Sequence, residues 1–213
     1  MNIVIFGPPG AGKGTQSNLI SKKFELYQLS TGELLRKEIA DKTELGIQIT
    51  SIINSGNLVS DTTVGNIIEK YISNKVYKNR LIFDGYPRNL NQAKNLDHLL
   101  EKNDQKIHIV LKLSVSLQTI KTRILERKTL EKREDDSERI AIKRYETYEN
   151  NIKPIIEFYK QSNLLRVING ERSISEISDE ISGFIKSIKG WLCEIRQYKY
   201  AGIKLIYLWH VLQ

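Results

Sequence analysis

A chain of 213 residues with 40% hydrophobic content is long enough for one domain with a real core and shorter insertions. Its 33 Lys and Arg residues face 25 acids, a net charge of +8 that suits anionic ligands; the lysines scatter and no RNA-binding signature occurs, so much of this charge reads as solvated surface rather than a nucleic-acid interface. One cysteine, Cys193, excludes an internal disulfide framework or a cysteine-based zinc site, and neither a signal-peptide pattern nor an apolar run of the ~20 residues needed for a membrane span occurs, so a cytoplasmic protein without a membrane partner is expected.

The apolar run Ile3-Val4-Ile5-Phe6 predicts a strand over Asn2–Phe6. It leads into Gly7-Pro8-Pro9-Gly10-Ala11-Gly12-Lys13-Gly14-Thr15, and a helical pattern follows over Lys13–Phe24. Strand, Gly-rich turn and helix in this order form a phosphate-binding loop: glycines let backbone N–H groups close around phosphate oxygens, and the helix aims its positive end at them. Lys13 adds a mobile cation. The residue after it is Gly14, where most such loops place a Ser or Thr on Mg²⁺. A GTPase-type switch is excluded further by the lack of an N-K-x-D motif, since Asn74-Lys75-Val76-Tyr77 has no Asp.

A second strand is predicted at Leu26–Leu29. From Thr31 to Ser73 the pattern is helix-like throughout, which reads as an inserted helical subdomain, with Ser30 or Thr31 capping its first helix. The third strand, Arg80–Asp84, ends in an acid beside Gly85-Tyr86-Pro87-Arg88. Asp84 at that position can hold Mg²⁺ directly or through water. Helix Asn89–Leu100, strand Lys106–Leu113 and helix Ser116–Arg127 follow. A long helix is expected from Ser137 to about Asn150, with Pro154 restarting another. Tyr145, Tyr148, Ile152, Ile155, Ile156 and Tyr159 keep helical spacing, the pattern of core packing. Strand Leu164–Ile168 precedes a last helix with Ile174, Ile177, Ile181, Phe184, Ile185 and Ile188 on one face, which Gly190 is expected to stop. Strands alternating with amphipathic helices predict a parallel sheet covered on both faces.

Four segments carry a specific resemblance. Gly7–Gln16, Ser30-Thr31-Gly32-Glu33-Leu34-Leu35-Arg36, Asp84-Gly85-Tyr86-Pro87-Arg88 and Arg133-Glu134-Asp135-Asp136 resemble adenylate kinase in order and spacing, over roughly Met1 to Gly190. The resemblance implies an α/β P-loop fold of three layers. A five-stranded parallel sheet forms the CORE (within residues 1–190), a helical NMP-binding insertion spans about 30–59, and a short LID spans about 127–136. Residues 191–213 form a C-terminal extension of unknown role.

The resemblance also implies a division of labour. Gly10, Ala11, Gly12, Lys13, Gly14 and Thr15 wrap the ATP phosphates, with Arg127 and Arg172 on the ATP side. Thr31, Arg36, Asn57, Leu58, Val59, Gly85, Tyr86, Pro87, Arg88 and Gln92 form the AMP site, toward which Arg133 and Arg144 reach. Lys13, Arg88, Arg123, Arg133 and Arg144 are the implied catalytic residues. Asp135 and Asp136 can pair with these cations on LID closure. The implied reaction is Mg·ATP + AMP ⇌ 2 ADP, by a monomer that uses Mg²⁺ and no zinc. No general base is needed, and His98, His108 and His210 read as structural or surface residues. Two alternatives remain at this stage. A pyrimidine nucleoside monophosphate kinase shares the fold and would be expected to carry Ala at the place of Thr31. The other is a non-catalytic nucleotide- or RNA-binding protein.

Overall fold

The computed structural model describes residues 1–131 and 138–200. Strand β1 (Asn2–Phe6) is buried at every position. Its side chains alternate between two cores, as strand geometry requires. Val4 and Phe6 pack with Leu29, Phe83 and Tyr159 on one face, while Ile3 and Ile5 pack with Ile20, Ile181 and Ile185 on the other. An uninterrupted apolar run is what a strand covered on both faces needs.

Strands β2 (Tyr27–Ser30), β3 (Leu81–Asp84), β4 (Ile107–Ser114) and β5 (Leu165–Asn169) join β1 in an all-parallel sheet of order β2-β3-β1-β4-β5. From β1 the chain crosses to the edge strand β2, returns to β3 beside β1, and then passes to β4 and β5 on the other side. This reversal opens a crevice at the carboxyl ends of β1, β3 and β4, where open α/β sheets bind ligands. The glycine-rich loop, Asp84 and Ser114 all lie at those ends.

Helix α1 (Lys13–Phe24) starts from Gly12 at φ 89°, and no side chain caps it. Its first N–H groups are left for a ligand. Three helices, α2 (Thr31–Ala40), α3 (Glu44–Asn54) and α4 (Asp61–Ile72), then run without a strand, as expected for the insertion. Each has a hydroxyl cap: Ser30 accepts from the Glu33 N–H, Thr43 from Gly46 and Ser60 from Thr63. The α2–α3 turn closes on Gly46, where a Cβ would lie 2.0 Å from the Glu38 carbonyl oxygen. Gly46→Ala is expected to cost about 2 kcal/mol through overpacking. Urea unfolding checks it, and an unchanged midpoint would show that the two helices part without cost.

Helices α5 (Leu90–Lys102), α6 (Leu117–Glu131), α7 (Glu138–Gln161) and α8 (Ile174–Tyr200) complete the layers. Three boundaries differ from expectation. Helix α6 runs past Arg127 to Glu131, because Lys128-Thr129-Leu130-Glu131 contains no helix breaker. The expected LID therefore begins inside a helix, and its residues 132–136 lie outside the described part. Helix α7 does not restart at Pro154 but runs through it. Ile152 before the proline and Ile155 and Tyr159 after it are buried in one core, so packing holds both halves in line. Helix α8 likewise passes Gly190. That glycine has no left-handed φ, and one helical glycine costs only about 1 kcal/mol relative to alanine. Among the described residues, no helix is long and apolar enough to cross a membrane.

Candidate active site

The loop after β1 lies tightly against β4. A Cβ on Gly7 would come within 3.0 Å of the Ala11 Cβ and 3.3 Å of the Leu113 Cβ. The Ala11 N–H donates to the Pro8 carbonyl at 3.1 Å, which closes the turn. Lys13 folds back over it, its Nζ donating to the Gly7 oxygen at 2.7 Å and the Pro8 oxygen at 3.0 Å. Burial lowers the Lys13 pKa to about 8; Asp84 opposes the fall, while Arg88, Arg144 and Arg127 add to it. Three arginines and one carboxylate, Asp84, thus act on the Lys13 ammonium.

Asp84 is 6% exposed at the end of β3. The Gln28 Nε2, from β2, donates to its Oδ2 at 3.0 Å. A Cβ on Gly14 would stand 3.8 Å from that same oxygen, so the carboxylate faces the first turn of α1. After it, Gly85 takes φ 78° and turns the chain. The Gly85 carbonyl accepts from the Thr31 hydroxyl at 2.9 Å and from the Arg88 Nε at 2.7 Å. One carbonyl therefore ties the insertion's first helix to the arginine of the β3–α5 loop.

Beside this loop a cavity opens between the insertion and α7. Eleven residues expected at the site line it: Lys13, Thr31, Arg36, Asn57, Leu58, Val59, Gly85, Pro87, Arg88, Gln92 and Arg144. Its apolar walls, among them Leu35, Ile53, Val64, Ile152 and Ile155, were not expected there. Neither was Tyr148, whose buried hydroxyl has no hydrogen-bond partner among the described residues and whose pKa is raised by burial. Helical spacing had marked Tyr148, Ile152 and Ile155 as core. They are core residues of α7 that also face the cavity.

Other expected residues lie around it. Gly10, Ala11, Gly12, Gly14 and Thr15 form the phosphate loop and the first turn of α1. Tyr86 is 1% exposed, and its ring packs in the core, with its hydroxyl accepting from the Asn95 amide at 3.4 Å. Only its neighbours Gly85 and Pro87 line the cavity. Arg123, on α6, donates to the Gly170 carbonyl at 3.0 Å, and Arg127 lies one turn further along. Arg172 pairs with Glu180 on α8. Arg133, Asp135 and Asp136 lie outside the described residues, as does His210. His98 is exposed. His108 accepts from the Asn2 N–H at 3.0 Å through Nδ1, and burial, helped by the N-terminal charge and Lys106, lowers its pKa to about 4. It is a neutral structural residue on β4.

A glycine-rich loop with Lys13 thus stands beside a largely apolar cavity that Arg36, Arg88 and Arg144 also line. The family model described as adenylate kinase matches residues 5–164. The chain belongs to the adenylate kinase family. The adenylate kinase of Pelagibacter ubique (strain HTCC1062) is 41% identical over 212 residues, spanning 87% of this chain and 100% of that protein. The adenylate kinase of Azobacteroides pseudotrichonymphae genomovar. CFP2 is 43% identical over 185 residues, covering 85% and 95% of the two chains. That of Fusobacterium nucleatum is 36% identical over 203 residues, covering 85% and 96%. As an adenylate kinase the chain is an enzyme, a phosphotransferase between ATP and AMP. The pyrimidine-kinase and non-catalytic alternatives are not favoured.

Proposed function

We propose that the chain performs Mg·ATP + AMP ⇌ 2 ADP with ATP on the phosphate loop and AMP in the cavity beside it. The convergence of Lys13, Arg88, Arg127 and Arg144 on one field carries this reading, because two phosphate chains are the anions that such a cluster would receive. The N–H groups from Gly10 to Thr15 hold the ATP phosphates, and Lys13 leaves its own loop carbonyls to reach them. Arg36 and Arg88 hold the AMP phosphate. Thr31, Asn57, Leu58, Val59 and Gln92 hold its nucleoside. Arg123, Arg127, Arg133 and Arg144 close on the transferred group, and Arg172 borders the ATP base.

Asp84 is the residue that would hold Mg²⁺, through water. A buried carboxylate facing the first turn of α1 fits a cation that keeps several waters and takes its other ligands from substrate phosphates. When bound, the ion neutralises phosphate charge. The nucleophile, an AMP phosphate oxygen, is already anionic at neutral pH. Its bond to the γ-phosphorus forms as the bond to the β-phosphate oxygen breaks, and no proton moves. The work left to the protein is alignment and charge stabilisation. The insertion at 30–59 and the segment at 127–136 would close over both nucleotides and exclude water, which would otherwise accept the phosphoryl group. The enzyme acts as a monomer in this reading.

A coupled assay with ATP and a panel of AMP, CMP, UMP and GMP tests the reading. AMP is expected to be the strongly preferred acceptor, because a site built to hydrogen-bond one base leaves polar groups unpaired against another. Equal kcat/KM for CMP would overturn it.

A further inference from the structure

Gln92 lies in the first turn of α5, is 3% exposed and lines the cavity. Both ends of its amide are engaged by the protein. Oε1 accepts from the Arg88 backbone N–H at 2.7 Å, and Nε2 donates to Oδ1 of Asp61 at 2.7 Å. Asp61 is the first residue of α4, on the far side of the insertion. The same carboxylate receives the Asn89 amide at 2.8 Å and 3.1 Å. Asn89 in turn caps α5, accepting from the Gln92 N–H at 2.8 Å.

The two partners of the Gln92 amide have opposite and fixed polarity. A backbone N–H can only donate, and an ionised carboxylate can only accept. Turning the amide over would set its oxygen against a carboxylate and its NH₂ against an N–H. Two hydrogen bonds would be lost, one of them charge-assisted. The amide therefore has one permitted orientation, with one N–H of Nε2 and one lone pair of Oε1 remaining for a ligand.

That orientation has a chemical consequence. A 6-aminopurine offers an acceptor at N1 beside a donor on its exocyclic nitrogen. A 6-oxopurine offers the reverse, a donor at N1 beside an acceptor at O6. One orientation of an amide matches the first edge, and the flipped orientation matches the second. We propose that Asp61 is a positioning residue that sets the base specificity of the acceptor site: it favours 6-amino over 6-oxo purine monophosphates by locking the polarity of Gln92. The proposal rests on the reading that Gln92 meets the base of AMP. A helix-start role does not account for the contact, because Ser60 already caps α4 and the Asp61 carboxylate reaches to α5.

Steady-state kinetics with AMP and with inosine monophosphate, which differs from AMP only along this edge, test it. In Asp61→Asn the new side chain can present either an oxygen or an NH₂ group, so of the two partners that fix the Gln92 amide only the Arg88 N–H still opposes its turning, and the flip costs one hydrogen bond instead of two. The ratio of kcat/KM for AMP over inosine monophosphate is expected to fall by about tenfold or more, largely through a gain with inosine monophosphate. Asp61→Glu, which keeps an acceptor, restores much of the ratio. Asp61→Ala carries the same expectation as Asp61→Asn and serves if that variant does not fold. In a Gln92→Leu background, Asp61→Asn leaves the ratio where it is. A ratio unmoved by Asp61→Asn and Asp61→Ala, while Gln92→Leu lowers it, overturns the role of Asp61 alone. Equal losses with both acceptors would also overturn it, since a merely structural role moves both together. A ratio unmoved by Gln92→Leu overturns the reading of Gln92 and this proposal with it.

Discussion

Arg88→Ala is expected to leave the protein folded and to reduce kcat by about 10²–10³-fold, the usual cost of losing one preorganised charge at a transferring group. Arg88 does not hang from a flexible loop. Its Nε is fixed by the Gly85 carbonyl at 2.7 Å, its backbone N–H is fixed by Gln92 at 2.7 Å, and it lines the cavity beside Lys13. The guanidinium is thus placed before any nucleotide arrives, and alanine removes the charge without touching a core side chain. Turnover by the purified variant decides the matter, with circular dichroism to show that the fold is retained. Near-normal kcat would take Arg88 out of the reaction.

Lys13→Met is expected to have an effect of at least the same size, about 10²–10³-fold in kcat/KM, with both nucleotide concentrations varied. The pocket of Lys13 is costly for a cation: burial, with three arginines adding to it, depresses its pKa to about 8 although Asp84 opposes the fall. A cation in such surroundings gains most from an anion bound beside it. Methionine has nearly the same length and no charge, so it suits the buried stem. The folded variant should be no less stable than the parent, while activity collapses. A variant of normal activity would show that the loop's backbone N–H groups suffice. The opposite pairing, lost stability with retained specific activity, would make Lys13 a structural residue that closes its own loop.

The sheet was legible because its strands obey simple rules. A run buried on both faces shows no alternation, and Ile3-Val4-Ile5-Phe6 has none. One cap was legible too: of the two candidates Ser30 and Thr31, Ser30 accepts from the Glu33 N–H. The strand–glycine turn–helix order and the place of Asp84 at the end of β3 were readable because short local patterns carry them. The cavity wall was harder to read. Ile152, Ile155 and Tyr148 lie on the buried stripe of α7, and helical periodicity marks burial without saying whether protein or ligand does the burying. Gln28 and Asp61 were missed for a different reason. Each is tied to the site by side-chain hydrogen bonds to another element, Gln28 to Asp84 and Asp61 to Asn89 and Gln92, and no local pattern encodes such a partner. Pro154 and Gly190 were read as punctuation, yet the helices continue through both. Local signals cost a few kcal/mol at most, and core contacts on either side of Pro154 outweigh that.

The central place of β1 also governs the order in which the enzyme can be assembled. Ile3 pairs with Ile82 on one side and with Ile109 on the other, so β1 is held by strands made much later than itself. Such non-local pairings carry a loop-closure entropy cost before any contact offsets it, and they slow folding. The Gly7 turn also leans on Leu113, at the end of the fourth strand. On a growing chain the phosphate loop is therefore synthesised well before the strands that hold it in shape. Nucleotide can act as a folding ligand only once residues up to the end of β4 have emerged.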